Sequence, residues 1–203
     1  MAETSVRTQS LNENAAAVTS LGYFGVGCIY LSVLTLALVF PTPWDNLFTI
    51  GLTACATLLS WLGWFWLRSN PVAPGQAHLA LTLLIAVMAF QTGGVLFEIA
   101  DPIHSGNQVM VLLAAAFFLT SRPWFYTSSA LIIGCWLPAA YVGFQNETLR
   151  AEWSQWGRLL LISLALAVTF FEARRRTVLK VYSLKQAAED ALDDAQVANQ
   201  QRL

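Results

Sequence analysis

Residues 159 to 176 read Leu-Leu-Leu-Ile-Ser-Leu-Ala-Leu-Ala-Val-Thr-Phe-Phe-Glu-Ala-Arg-Arg-Arg, and this stretch decides the fold. The part up to Phe171 is almost wholly apolar, as in a membrane-spanning helix, and the segment from Glu172 to Arg176 marks a boundary with water. No Pro or Gly follows Gly157, so no strong helix breaker interrupts the chain beyond it. We therefore expect one helix, from about Leu159 to Leu203, that leaves a membrane and continues into water.

The part of this helix that lies in water carries an apolar stripe. Its members recur at alternating steps of three and four residues, which is the period of a two-stranded coiled-coil seam; they are Val181, Leu184, Ala188, Ala191, Ala195 and Ala198. The stripe predicts a parallel homodimer joined along residues 173–203. Because the seam is mostly alanine and holds little more than two heptads, a lone amphipathic tail helix is the alternative.

The whole chain is too apolar and too poor in charge for a water-soluble domain. Of its 203 residues, 56% are hydrophobic and 11% are charged, whereas a soluble domain has about 25% charged residues. Between Leu21 and Phe171 the charges fall almost entirely in short breaks between long apolar runs. This composition predicts an all-α integral membrane protein, and the net charge of −1 gives no reason to expect a nucleic-acid partner.

The apolar runs predict a bundle of six transmembrane helices over residues 21–172. A polar N-terminal tail (residues 1–20) precedes the bundle, and the coiled-coil helix (residues 173–203) follows it. The fourth run is short, with roughly 14 residues against the ~20 that cross untilted hydrocarbon, and it needs residues from the preceding loop. The predicted spans are Leu21–Phe40, Leu47–Leu67, Gln76–Phe97, Gln108–Ser121, Trp124–Phe144 and Trp156–Phe171.

Lysine and arginine residues predict the orientation. With six spans both termini lie on one side, and that side holds nine of the eleven basic residues. The other side holds only Arg150 and Arg158. Because basic residues favour cytoplasmic loops, we expect a multi-pass membrane protein with both termini in the cytoplasm. The nine residues are Arg7, Arg68, Arg122, Arg174, Arg175, Arg176, Lys180, Lys185 and Arg202.

A polar stripe that begins in the third span is the candidate ligand site. Its first four residues follow one another by three or four positions, so they share one helical face. His104 continues that face if the helix extends past Pro102. Polar groups at membrane depth face the bundle interior, where they contact either a ligand or a neighbouring helix, and both interpretations stay open here. The stripe consists of Gln91, Gly94, Glu98, Asp101 and His104.

The sequence contains no catalytic or metal-binding constellation. It has no nucleotide-binding glycine loop and no Ser or Cys beside a base, and His78 and His104 are predicted near opposite ends of the third span, too far apart to share one metal. Cys28, Cys55 and Cys135 all lie in apolar runs, where small packing residues are common. We therefore expect no catalytic residue, no metal and no cofactor in these 203 residues.

The end of the chain, Ala187 to Leu203, is rich in alanine and acidic residues and contains the pair Ala198-Asn199 followed by Arg202. In these features it resembles the linker that precedes the dimerisation and phosphoacceptor helix of bacterial sensor histidine kinases. The resemblance implies that the chain is the N-terminal membrane sensor module of such a kinase, in the bacterial inner (plasma) membrane. The histidine box and ATP-binding domain of the kinase would lie outside these residues. Six spans followed by a signalling coil also resemble the input modules of diguanylate cyclases and class III nucleotide cyclases.

The leading functional prediction is therefore a sensory input domain that passes a stimulus through the sixth helix and the coiled coil to a kinase core. Its expected partners are membrane lipid, a second copy of the chain, a small-molecule or lipid stimulus and, through the kinase core, a response regulator. The alternatives are a cyclase input module and a small transporter or channel. Against a transporter, the predicted spans lack buried charge pairs and interrupted helices.

Overall fold

The computed structural model describes residues 2–40, 45–70 and 72–200, without the side chains of residues 2–10, 193, 198 and 199. Nearly all of this described chain is α-helix, and it contains no β-strand, which confirms the predicted all-α class. Single 3-10 turns, Pro74–Gln76 and Pro102–His104, precede the third and fourth helices. The helices are α1 (Ala2–Val39), α2 (Leu47–Ser69), α3 (Ala77–Ile99), α4 (Ser105–Phe118), α5 (Arg122–Gln145) and α6 (Arg150–Gln200).

Five of these helices are long and apolar enough to cross a membrane, which is consistent with a multi-pass membrane protein. They are α1, α2, α3, α5 and α6. The exception is α4, which has 14 residues and reaches back only to Pro102 when its 3-10 turn is included. Length and composition thus support five spans, and the predicted sixth depends on where α4 lies in the bundle.

Helices that follow one another in the chain run in opposite directions, so the bundle has two ends. We call the end at which α6 leaves the bundle the exit end; here Asn14 of α1 accepts a hydrogen bond from Arg174 of α6. We call the opposite end the distal end; here Asn46, just before α2, donates a hydrogen bond to Glu98 near the end of α3. The start of α1 and the exit of α6 therefore lie at the same end of the bundle.

The central helix of the bundle is α3, which contacts α1, α2, α4 and α5. Its residues Leu81, Leu84, Ile85 and Ala89 have no exposed surface. Around it, α1 packs mainly on α2, and α4 packs mainly on α6. The buried polar side chains of α3, such as Gln91, therefore face a neighbouring helix rather than the surroundings of the bundle.

Residues predicted as a polar tail belong to a helix that packs on the bundle. Helix α1 begins at Ala2, before the predicted start of the first span at Leu21, and the side chain of Leu11 is buried. Ala15 is fully buried in the main core cluster, and the hydroxyl of buried Thr19 donates back to the carbonyl of Ala15. Hydropathy does not reveal this buried face, because residues 1–20 are mostly polar and the face itself includes a polar residue, Thr19.

Candidate functional site

The first half of the predicted stripe faces α2. Buried Gln91 donates through Nε2 to Oγ1 of Thr53 over 3.0 Å, and Glu98 accepts a hydrogen bond from Asn46 over 3.2 Å. Between them, a Cβ on Gly94 would lie 2.7 Å from Leu52, so the missing side chain lets α2 approach closely. Gln91, Gly94 and Glu98 thus share the predicted helical face, and the groups they contact belong to α2 or to the residue that caps its start.

The second half of the stripe leaves this face because α3 ends at Ile99. Ala100 has a left-handed backbone with φ of 53°, which ends the helix. The carboxylate of Asp101 then accepts a hydrogen bond from the backbone N–H of Ile103 and starts the 3-10 turn that contains His104. The single helical face expected to run from Gln91 to His104 is therefore interrupted at Ala100.

Helix α4 begins inside the bundle rather than at its distal end. Fully buried Ser105 accepts a hydrogen bond from the indole N–H of Trp136 on α5 over 3.0 Å. The amide of Gln108 donates to the carbonyl of Ala89 on α3 over 3.4 Å. Trp136 lies nine residues before the end of α5, which corresponds to roughly 13 Å at ~1.5 Å per residue. This depth explains why α4 is too short to cross a membrane by itself.

The start of α6 is held at the distal end by a tryptophan packed on a glycine. Trp153 is the largest fully buried side chain among the described residues, and its indole lies directly on the backbone of Gly143 in α5. Trp153 also packs near Trp136, with 6.0 Å between ring centroids. A rigid aromatic ring in this position couples the first turns of α6 to α5.

The exit of α6 is held by an aromatic stack and an ion pair. The rings of Phe125 and Phe171 are parallel, 4.4 Å apart between centroids, and fully buried. Arg122, the first residue of α5, donates from Nε and Nη2 to the two carboxylate oxygens of Glu172 over 2.7 and 3.0 Å. Glu172 follows the predicted sixth span, and the hydrogen bond from Arg122 holds the pKa of its carboxyl below the usual value.

A second set of polar contacts joins α6 to α1 and α4 at the exit end. Arg174 donates to the carbonyl of Leu119 over 3.2 Å and to the amide oxygen of Asn14 over 3.0 Å. Nearby, Thr120 donates to the carbonyl of Leu11 and lies 3.5 Å from Nε2 of His78. These contacts place polar groups of α1, α3, α6 and the link between α4 and α5 around the point where α6 leaves the bundle.

Beyond Arg176, α6 continues to Gln200 as the same helix, which agrees with the expected absence of a break. Five of the predicted seam residues, Val181, Leu184, Ala188, Ala191 and Ala195, have exposed side chains in the single chain. The sixth, Ala198, lies outside the residues whose side chains are described. Among the residues whose side chains are described, none covers this exposed apolar stripe, and the dimer seam stays a prediction.

Two buried polar side chains, those of Gln108 and His78, are not predicted from the sequence. Gln108 was predicted at the boundary of a span, and His78 near a membrane surface, yet their side chains are 0% and 2% exposed. The signal available for Gln108 was the shortness of the fourth run, which implies a helix that starts inside the bundle. Among the described residues, no group of three His, Cys, Asp or Glu side chains is close enough to hold a metal ion.

Comparisons with known protein families, with characterised proteins and with solved structures found no match to this chain.

Proposed function

We propose that this chain is the membrane-embedded sensory input domain of a bacterial signalling protein, and that α6 carries the signal to a downstream histidine kinase core. The observation that supports the proposal best is the continuity of α6. One helix of 51 residues begins at the distal end, passes along the bundle and extends beyond the exit end with an exposed apolar stripe. A helix is stiff along its axis, so a displacement at one end reaches the other.

In this proposal the stimulus acts in the distal half of the bundle, where Gln91, Glu98, Asp101 and His104 are the candidate contacts. The contacts of Gln91 and Glu98 with α2 then belong to one of two states, and a ligand shifts the balance by its difference in affinity for them. The packing of Trp153 on Gly143 transfers a movement of α5 to α6. At the exit end, the Phe125–Phe171 stack and the Arg122–Glu172 pair define the position from which the coil leaves.

The proposed topology has six spans with both termini in the cytoplasm. The start of α1 and the exit of α6 lie at the same end of the bundle, as an even number of spans requires. In the proposal α4 and the turn before it together count as the fourth span, because the chain returns from the distal to the exit end through them. Nine of the eleven basic residues then lie on the cytoplasmic side.

The seam is tested by disulfide crosslinking between two copies in native membranes. In a chain whose three native cysteines are replaced, Leu184→Cys and Ala191→Cys should crosslink between protomers far faster than Ser183→Cys and Asp190→Cys. The control positions lie one residue earlier on the same exposed helix, so they differ in the direction that they face. Equal rates at the two pairs would show that residues 173–203 form a tail helix and would remove the dimeric coil.

The signalling role is tested by insertions that rotate the part of α6 downstream of the insertion point. With a histidine kinase core fused after Leu203, an insertion of seven residues after Lys185 rotates the downstream helix by about −20°, and an insertion of two residues rotates it by about 200°. The seven-residue insertion should preserve more regulation of autophosphorylation than the two-residue insertion. If the two insertions leave autophosphorylation equally regulated, the signalling role is contradicted, even if cysteines at the seam crosslink.

A further inference from the structure

An apolar groove runs between α4 and α6 in the exit half of the bundle. Its volume is about 460 Å³, within the range of small-molecule clefts, and every residue that lines it is apolar. Several of these side chains are largely exposed, Met110 to 67% and Phe117 to 51%. The groove is lined by Met110, Leu113, Ala114, Phe117, Phe118 and Phe170. In a multi-pass membrane protein such a surface is covered by lipid chains rather than by water.

One end of this groove carries a positive charge. The guanidinium of Arg174 lies over the ring of Phe117, 5.3 Å from its centroid. Arg174 is also one helical turn after Phe170, so it extends the groove face of α6 towards the exit end. A ligand that fills the groove therefore ends beside this guanidinium.

No carboxylate is among the hydrogen-bond partners described for this guanidinium. The nearest acidic residue along the helix, Glu172, is bound through both oxygens to Arg122. Arg174 makes its two described hydrogen bonds to neutral oxygens, those of Leu119 and Asn14. A guanidinium has five N–H donors in a planar fork, so it can hold a phosphate in addition to these neighbours.

We propose that this groove is a binding site for an anionic phospholipid, with an acyl chain along α4 and α6 and the phosphate against Arg174. An apolar cleft that ends at a guanidinium fits a molecule with a long apolar chain attached to an anionic group. Such a lipid bridges α4 and α6 at the point where α6 leaves the bundle. The site depends only on the groove and Arg174, and it stands whether or not the chain is a signalling domain.

The test is the retention of lipid by the purified full chain in a neutral detergent, measured by native mass spectrometry. The probes are phosphatidylglycerol and phosphatidylcholine with identical acyl chains, added at equal concentrations. We expect phosphatidylglycerol to be retained in preference to phosphatidylcholine. Arg174→Gln should reduce this preference about fivefold, the factor that one basic residue contributes near an anionic lipid surface. Arg176→Gln removes the same charge from the exposed residue two positions later and should leave the preference nearly unchanged.

A second pair of variants tests the groove without touching a charge. Ala114→Phe fills the groove and should reduce retention of both lipids, whereas Ala130→Phe, on an exposed face of α5, should not. This pair keeps the test decisive if Arg174→Gln unfolds the chain. Equal retention of the two lipids by the unmodified chain would overturn the proposal. An Arg174→Gln protein that keeps the preference, or an Ala114→Phe protein that matches Ala130→Phe, would overturn it as well.

Discussion

Replacing Gly143 with alanine tests how α6 is held at the distal end. Gly143 is buried on α5, and the indole of Trp153 packs directly on its backbone. A Cβ at position 143 would lie 2.7 Å from Cδ1 of Trp153 and closer still to Nε1 and Cε2, whereas ordinary contact begins near 3.4 Å. Because Trp153 is fully buried, its ring can move aside only by displacing its neighbours.

Two opposing effects set the expected magnitude for Gly143→Ala. Alanine in place of glycine in a helix interior is favourable by about 1 kcal/mol. Forcing an extra methyl into a packed site costs about 1–3 kcal/mol. Since the methyl would meet a rigid ring rather than the end of a flexible side chain, the cost should lie near the upper value. We therefore expect Gly143→Ala to lower the free energy of unfolding by about 1–2 kcal/mol.

Gly134 provides the matched control on the same helix. It is exposed, and a Cβ built on it meets nothing within 4 Å. Gly134→Ala should therefore leave stability unchanged or raise it by up to about 1 kcal/mol. The measurement is the loss of helical circular dichroism on heating the purified chain, with both variants in the same detergent. If Gly143→Ala is as stable as Gly134→Ala, then Trp153 does not pack on Gly143 and does not couple α6 to α5.

Two further predictions concern orientation and the α2–α3 contact. With cytoplasmic termini, an impermeant reagent applied to intact cells should label a single cysteine at Asn146 but not one at Asn70. Labelling of position 70 without position 146 would refute this orientation. A double-mutant cycle of Gln91→Leu and Thr53→Val should give a coupling of about 0.6 kcal/mol, the average for hydrogen bonds between membrane helices. Thr35→Val, which removes an exposed hydroxyl bonded only within α1, should show no coupling to Gln91→Leu in the same measurement.

The helical class and the course of α6 followed from the sequence because both depend on local properties. Hydropathy over about 20 residues decides whether a segment suits hydrocarbon, and helix propensity is a property of each residue. The absence of Pro and Gly after Gly157 was therefore enough to predict a helix without a break, and α6 extends to Gln200. The same local rules predicted that Gln91, Gly94 and Glu98 share a face, since the period of a helix fixes that relation.

The identity of the group opposite each face was decided by tertiary packing. Nothing near Gln91 in the sequence points to Thr53, 38 residues away, because that contact exists only once α2 lies against α3. The depth at which α4 starts is likewise set by the meeting of Ser105 with Trp136 on α5. Burial of Ala15 in the core depends on helices that follow much later in the chain. Hydropathy and periodicity describe one helix at a time, whereas these contacts depend on which helices are neighbours and on how deep each one lies.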